Sequence, residues 1–275
     1  MENAEKNKKY LAAGFIGFFL ILVVALVTIF RSNLSPEENI AEIKSMESTE
    51  EVAPVAEKFI AAKDLMQKII QRENLVILDI RSADEYKKEH LADSVNIPFV
   101  NLEESVNSLS KDKMYILVDD DYAESSLLAI QKLLENEITN VLYLQGGFSS
   151  WKGQYYPTIS SGDPNSFVDQ SKVKYIKSPE LKALMAQDSQ LVIIYVGNVE
   201  AFQAGHIQGA QNISLDNLEK EKAKIPLGRK VVLYDNDGLW AFMGAVRMYD
   251  MGFFNILAMS DGLEGWKNNK FELVK

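Results

Sequence analysis

The 275-residue chain contains no cysteine. That absence rules out disulfides, thiolate metal sites and every cysteine nucleophile, but leaves the compartment open, since a cysteine-free chain is tolerated anywhere. Histidine is nearly as scarce: His90 and His206 are the only two, too few for a His-rich metal centre in one chain. Basic runs are missing beyond the first ten residues, and 39 acidic against 29 basic side chains give a net charge of −10. Such a chain repels a phosphate backbone rather than steering it in, so nucleic acid is not an expected partner. No cofactor or metal is expected either.

What is present is apolar: 47% hydrophobic and 25% charged content allows a substantial core, divided between two domains at this length. LAAGFIGFFLILVVALVTIF, residues 11–30, runs for twenty residues without a charge. At about 1.5 Å per residue a helix of that length covers the hydrocarbon thickness of a bilayer. Its continuation TIFRSN offers no small-residue cleavage site, so a retained single-pass anchor is expected rather than a signal peptide. Lys6, Lys8 and Lys9 flank it on one side and Arg31 with an acidic segment on the other. The positive-inside bias then predicts a cytoplasmic tail at 1–10 and an exoplasmic bulk, held at the cell membrane by 11–30 on an acidic stalk at 31–57.

The remainder repeats itself. VILDIRSADEYKKEHLADSVNIP (Val76 to Pro98) matches VIIYVGNVEAFQAGHIQGAQNIS (Val192 to Ser214) at a spacing of 116, with His90 on His206 and Asn96 on Asn212. The strand-loop segments YILVDDDYAESS and VVLYDNDGLWAF also match, and QGGFSSW meets SDGLEGW at a spacing of 115. Two domains of about 100 residues follow, assigned to 58–157 and 173–275 with a Gly/Pro/Ser-rich linker at 158–172. Each alternates continuous apolar strands with helices, the pattern of a parallel sheet covered on both faces. In the second copy, Ser178 as N-cap and Pro179 at the first helical position predict a helix start.

These blocks resemble rhodanese-like domains. LDIRSADEYKKEHLADSVNIP is similar to the family's segment with a strand ending in Asp-x-Arg, an acidic-aromatic pair and then His-Ile-x-Gly-Ala-x-Asn-Ile-Pro; GHIQGAQNIS matches its latter half, and GGFSSW and DGLEGW resemble its closing Gly-Gly-x-x-x-Trp element. The resemblance implies two three-layer α/β/α domains after the anchor. In active members a central strand runs into a loop that opens with a nucleophilic cysteine and reaches an arginine five residues on, with loop N–H groups converging on the sulfur anion. Carried over at a spacing of 115, the cysteine positions are Asp120 and Asp235, and the arginine positions Ser125 and Trp240. The resemblance therefore implies no sulfur transfer by this chain's own residues, because an aspartate carries no persulfide. The second copy also has Tyr195 and Gly197 where the first has Asp79 and Arg81.

Several readings of the two loops stand side by side. Each carboxylate can fill the ring of N–H donors in place of the missing anion. The apolar-strand-then-Asp-x-Asp pattern, with Asp237 in the second loop, also fits an aspartyl-phosphate nucleophile, but the Lys and Asp elements such enzymes need downstream have little chain left to occupy. Asp119, Asp120, Asp121 and Glu124 crowd four carboxylates around Ala123 and could face Ca²⁺ or Mg²⁺, but neither loop has the twelve-residue calcium spacing. His90 and His206 read as hydrogen-bonded packing residues. Gly238 and Trp240 open an apolar helix that continues through Phe242, Met243, Met248 and Tyr249, either a buried element or the rim of a partner site. The expected function is a membrane-anchored, catalytically inactive tandem module that binds a protein partner through these altered loops. The alternatives are an anion or small-ligand sensor and an accessory sulfurtransferase-family protein whose partner supplies the cysteine.

Overall fold

Short runs of Val, Ile and Leu, each too brief for a helix and each apolar on both sides, build two five-stranded parallel sheets. The computed structural model describes residues 58–121 and 124–275. The expected tail, anchor and stalk (1–10, 11–30 and 31–57) lie outside the described residues, and among those described no helix is long and apolar enough to cross a membrane.

The first copy runs β1 (Phe59–Ile60), α1 (Ala62–Ile70), β2 (Leu75–Asp79), α2 (Ala83–Lys88), β3 (Glu89–Leu91), β4 (Val95–Asn96), β5 (Met114–Val118), α3 (Glu124–Glu135), β6 (Val141–Leu144) and α4 (Gly147–Gly153). Its sheet has the order β1-β6-β5-β2-β4. Next come β7 (Thr158–Ser160) and α5 (Phe167–Lys172). The second copy runs β8 (Lys174–Ile176), α6 (Ser178–Gln187), β9 (Val192–Tyr195), α7 (Val199–Ala204), β10 (Gln211–Asn212), β11 (Val231–Tyr234), α8 (Leu239–Asp250), β12 (Ile256–Met259) and α9 (Gly262–Asn268). Its sheet order, β8-β12-β11-β9-β10, repeats the first strand for strand.

Period-two alternation sends neighbouring strand residues to opposite faces, and both faces are covered. On one side of the first sheet Ile77, Ile116 and Val118 pack with Leu65 and Trp151. On the other, Leu78, Leu117 and Tyr143 pack with Ile130 and Leu133. The second sheet does the same with Leu181 and Trp266 on one side and Ala241, Ala245 and Met248 on the other. Each fully buried aliphatic side chain contributes about 1.5–3 kcal/mol of transfer free energy, so the expected α/β/α layering follows from the strand composition.

Helix starts use local side chains. Ser82 caps α2 in a reciprocal box with Glu85, and Asn198 caps α7 through the Ala201 N–H. Ser178 departs from the sequence expectation: it is the first residue of α6, and its hydroxyl donates to Asp261 at 2.8 Å. The partly buried Asp261 carboxylate takes the hydroxyl, tying α6 to the start of α9 instead of closing its own helix.

The segment expected as a linker is structured. β7 pairs antiparallel with β3, His90 opposite Ile159, and the Ser160 N–H donates to Asp250 of α8 at 3.0 Å. Lys172 sits between Asp169 and Asp250 at 3.0 and 2.9 Å. The connector thus begins on the first copy and ends against the second. Further ties cross directly, His90 to Glu219 at 2.9 Å and Lys87 to Asp216 at 3.7 Å. The described residues belong to a single compact unit.

Gly262 has φ +52, and a Cβ there would lie 2.3 Å from the Asn236 carbonyl oxygen. Backbone cannot yield at that distance, so Gly262→Ala is expected to lower stability by about 2 kcal/mol or more. Gly153→Ala, where nothing lies within 4 Å, should change it by less than about 1 kcal/mol. Equilibrium urea denaturation of the two variants measures the contrast.

Candidate functional site

The central strands β5 and β11 end side by side with β2 and β9, and ligands of open α/β sheets bind beyond such carboxyl ends. Register decides which residues meet there. Asp79 lies opposite Val118 and Tyr195 opposite Tyr234, and the Ile80 and Val196 N–H groups donate to the Val118 and Tyr234 carbonyls. The next residues are Asp119 and Asp235. The following helices confirm the match: Phe148 N–H donates to Asp119 O and Leu263 N–H to Asp235 O, then Ser149 to Asp120 O and Glu264 to Asn236 O. Asp119, not Asp120, is therefore the structural counterpart of Asp235. The strands hold a spacing of 116 and the helices α3 and α8 one of 115, so the extra residue falls inside the first loop.

In the second copy the loop closes on itself. Asp235 is only 5% exposed; one carboxylate oxygen accepts the Gly238 N–H at 2.8 Å and the other the Trp240 N–H at 3.0 Å. These are donors at the start of α8, where an acceptor is favoured by the unpaired amides of the first turn. Burial pushes the Asp235 carboxyl above its ordinary value; the two N–H bonds oppose that shift and neighbouring Asp237 reinforces it. Asp237 itself accepts the Leu239 N–H at 3.0 Å. Gly238 is required by its φ of +99 and by Ser260 O, which a Cβ would meet at 2.6 Å.

The first loop is built differently. One Asp119 oxygen accepts the Ser125 and Ser126 hydroxyls at 2.6 and 3.2 Å, and the other its neighbour's N–H, from Asp120, at 2.8 Å. Ser125, at the family's arginine position, thus serves the aspartate. The Asp120 side chain is 49% exposed, 3.4 Å from Arg81; burial and neighbouring Glu85 push its carboxyl up, while Arg81 pulls it down. Asp121 is exposed and its carbonyl accepts the Tyr143 hydroxyl. Ala123 and the side chain of Glu124 lie outside the described residues. Among the described residues no group of three or more His, Asp or Glu is placed to hold a metal ion.

Asp79 and Arg81 form a buried pair beneath the first loop, 2.6 Å between Arg81 Nη2 and the carboxylate, with Arg81 also on the Glu89 carbonyl at 2.9 Å and 3.9 Å above the Phe148 ring. Burial works against the guanidinium charge, but Asp79 more than offsets it and the Arg81 pKa lies above its ordinary value. In the second copy the Tyr195 ring fills this place: a Cβ on Gly197 would come within 2.4 Å of it. The turn survives the exchange, because Asn96 donates to the carbonyls of Asp79 and Arg81 as Asn212 does to those of Tyr195 and Gly197.

Both histidines stack on the aromatic residue four positions earlier, His90 on Tyr86 at 3.9 Å and His206 on Phe202 at 3.8 Å, and both engage that residue's carbonyl through Nδ1. Phe242 and Met248 are buried, whereas Leu239, Trp240 and Tyr249 are 45%, 46% and 39% exposed. Sequence reasoning missed Arg247, buried in α8 with Nη1 on the Leu215 carbonyl at 2.7 Å and Glu219 nearby at 3.8 Å. A lone arginine within the apolar stretch LWAFMGAVRMYDM was the available signal.

The sequence matches the rhodanese-like domain family over residues 61–154 and again over 178–269. It is 32% identical over 90 residues to the thiosulfate sulfurtransferase GlpE of Coxiella burnetii, covering 33% of this chain and 82% of that protein. A putative sulfur carrier protein of Bacillus subtilis, YrkF, is 29% identical over 108 residues, covering 39% of this chain and 56% of its own length. The solved thiosulfate sulfurtransferase of Pseudomonas aeruginosa superposes with a TM-score of 0.43 at 20% identity, covering 78% of this chain and 43% of that one.

Replacing Asp235 with Ala strands two N–H groups and should cost about 1–2 kcal/mol. The pH dependence has a definite sign. A carboxyl whose folded pKa is raised binds its proton more tightly in the folded state, so its contribution is greatest below its ordinary value of about 4 and is lost as pH rises through the folded value. Asp235→Asn does not titrate, so its stability relative to the parent should improve from pH 4 to pH 7. Chemical denaturation at both pH values tests this; a deficit that grows with pH would show that the N–H bonds outweigh burial.

Proposed function

The chain belongs to the rhodanese-like domain family, and from that premise we propose that it is a non-catalytic tandem member that binds a protein partner through its altered loops. The observation that carries this reading is the Asp235 carboxyl group, which takes up the loop N–H donors at Gly238 and Trp240. In a sulfur-transferring loop such donors face an anion on cysteine; here an internal acceptor occupies them, and no cysteine exists anywhere in the chain to carry sulfur. Trp240, at the family's arginine position, turns the mouth of that loop from a cation site into a half-exposed ring beside Leu239. Aromatic side chains in such positions concentrate binding energy in protein interfaces. The same reading puts the uncharged segment 11–30 in the cell membrane as a single-pass anchor, with the lysine-bearing tail cytoplasmic and both domains exoplasmic.

Gentle purification of the full-length protein from its native membranes, followed by quantitative mass spectrometry, tests the proposal. One partner at near-equal amount is expected, reduced about tenfold or more by Trp240→Arg. In parallel, thiosulfate, sulfite and phosphate should leave the melting temperature unchanged, because the donors they need are taken. Cyanide-dependent turnover of thiosulfate by the pure protein would sink the reading outright.

A further inference from the structure

A cavity of about 320 Å³ opens on the first copy, among the side chains of α1, β2 and α4. It is distinct from the loop at the carboxyl ends of the strands. Its lining is apolar: Met66, Ile69, Leu75, Ile77, Leu91 and Trp151, the last three buried and the first three partly buried against the same core. Its size falls at the lower end of small-ligand sites, about 300–1,000 Å³.

Three charged residues, Arg72, Glu73 and Asp93, also line it. Glu73 is paired with Lys68 at 2.8 Å, and Asp93 is paired with Lys222 of the second copy. Arg72 has no carboxylate partner among the described residues. The site therefore offers an apolar interior with one uncommitted guanidinium, and a guanidinium binds a carboxylate through paired, charge-assisted hydrogen bonds.

The repeat supplies an internal control for whether the fold alone demands this arrangement. At the equivalent positions of the second copy, Lys182 replaces Met66, Asp188 replaces Arg72 and Gly209 replaces Asp93. There the Lys182 ammonium lies over the Trp266 and Phe271 rings at 5.6 and 6.0 Å. The guanidinium on the rim and the methionine belong to the first copy only. The backbone conformation differs between the copies at the Arg72 position and is shared at the Asp93 position. Arg72 and Asp93 hold φ values of +56 and +61, the left-handed region that side chains other than glycine seldom adopt. In the second copy that conformation falls to Gly209 at φ +80, while Asp188 is extended at φ −119.

We propose that this cavity binds a small monocarboxylate with an aliphatic or aromatic body, its chain lying against Met66 and Trp151 and its carboxylate on Arg72. The site is independent of the altered loops and of the partner-binding reading. Isothermal titration of the full-length protein with hexanoate and with the neutral isostere hexanamide tests it. Hexanoate should bind with one-to-one stoichiometry in the millimolar range or tighter, and hexanamide about tenfold more weakly. Arg72→Gln should erase the difference between the two. Met66→Lys, which installs the residue the second copy tolerates at the same place, should abolish binding of both while leaving the melting temperature within a few degrees of the parent. Absence of saturable hexanoate binding, equal affinity for the amide, or hexanoate binding unchanged in a folded Met66→Lys variant would each overturn the proposal.

Discussion

Both loops are held in place by the helix that follows the next strand. The N–H groups of Phe148 and Ser149 close on the carbonyls of Asp119 and Asp120, and those of Leu263 and Glu264 on Asp235 and Asn236. Carbonyls leaving the end of a central strand have no ladder partner, and a helix N-terminus has amides to spare, so each satisfies the other. The approach is close enough that only glycine fits at Gly147 and Gly262, where a Cβ would stand 2.3 Å from a loop carbonyl. This contact explains why the Gly-containing, Trp-ending segment appears in both copies although neither loop carries a cysteine: the segment shapes the loop backbone whatever the loop carries.

The exchange of Asp79 and Arg81 for Tyr195 and Gly197 shows how far such a scaffold tolerates change. A buried charged pair is costly to break one member at a time, since the survivor is left without a counter-charge in a dry site. The second copy lacks both members, and the Tyr195 ring occupies the volume beside Gly197. What both copies keep is the asparagine, Asn96 or Asn212, whose amide satisfies two carbonyls of the turn. Backbone satisfaction is retained where side-chain chemistry is not, because a buried carbonyl without a donor is costly whichever side chains surround it.

Much of this was legible in the sequence, for reasons that can be named. The strands declare themselves because both faces are buried, leaving unbroken apolar runs such as LVIIYV, and the repeat makes each copy evidence for the other. The alignment of the first loop was not legible. Asp119, Asp120 and Asp121 are the same letter, so sliding by one residue changes nothing in a string comparison, whereas hydrogen-bond register resolves it at once. β7 was hidden because its sequence, TIS within a Ser/Gly/Pro-rich stretch, has little strand character of its own; it pairs because β3 presents an open edge. Arg247 was hidden because burial of a charge depends on a carbonyl supplied from Leu215, far away in the chain.

Between the copies, polar ties rather than a shared apolar core set the junction. His90 reaches Glu219, whose other oxygen faces Arg247, and Asp250 receives both the Ser160 N–H and the Lys172 ammonium. Individually exposed ion pairs contribute little, about 0–1 kcal/mol, but His90, Arg247 and Asp169 are nearly buried, and partially dehydrated pairs are directional as well as attractive. Each tie also uses a residue already fixed by its own domain: His90 by stacking on Tyr86, Arg247 by the Leu215 carbonyl, Ser160 by pairing of β7. Preorganised groups lose little further freedom when they meet. The two domains are thus joined in one arrangement, which holds the two loops and the apolar cavity of the first copy at set positions relative to one another.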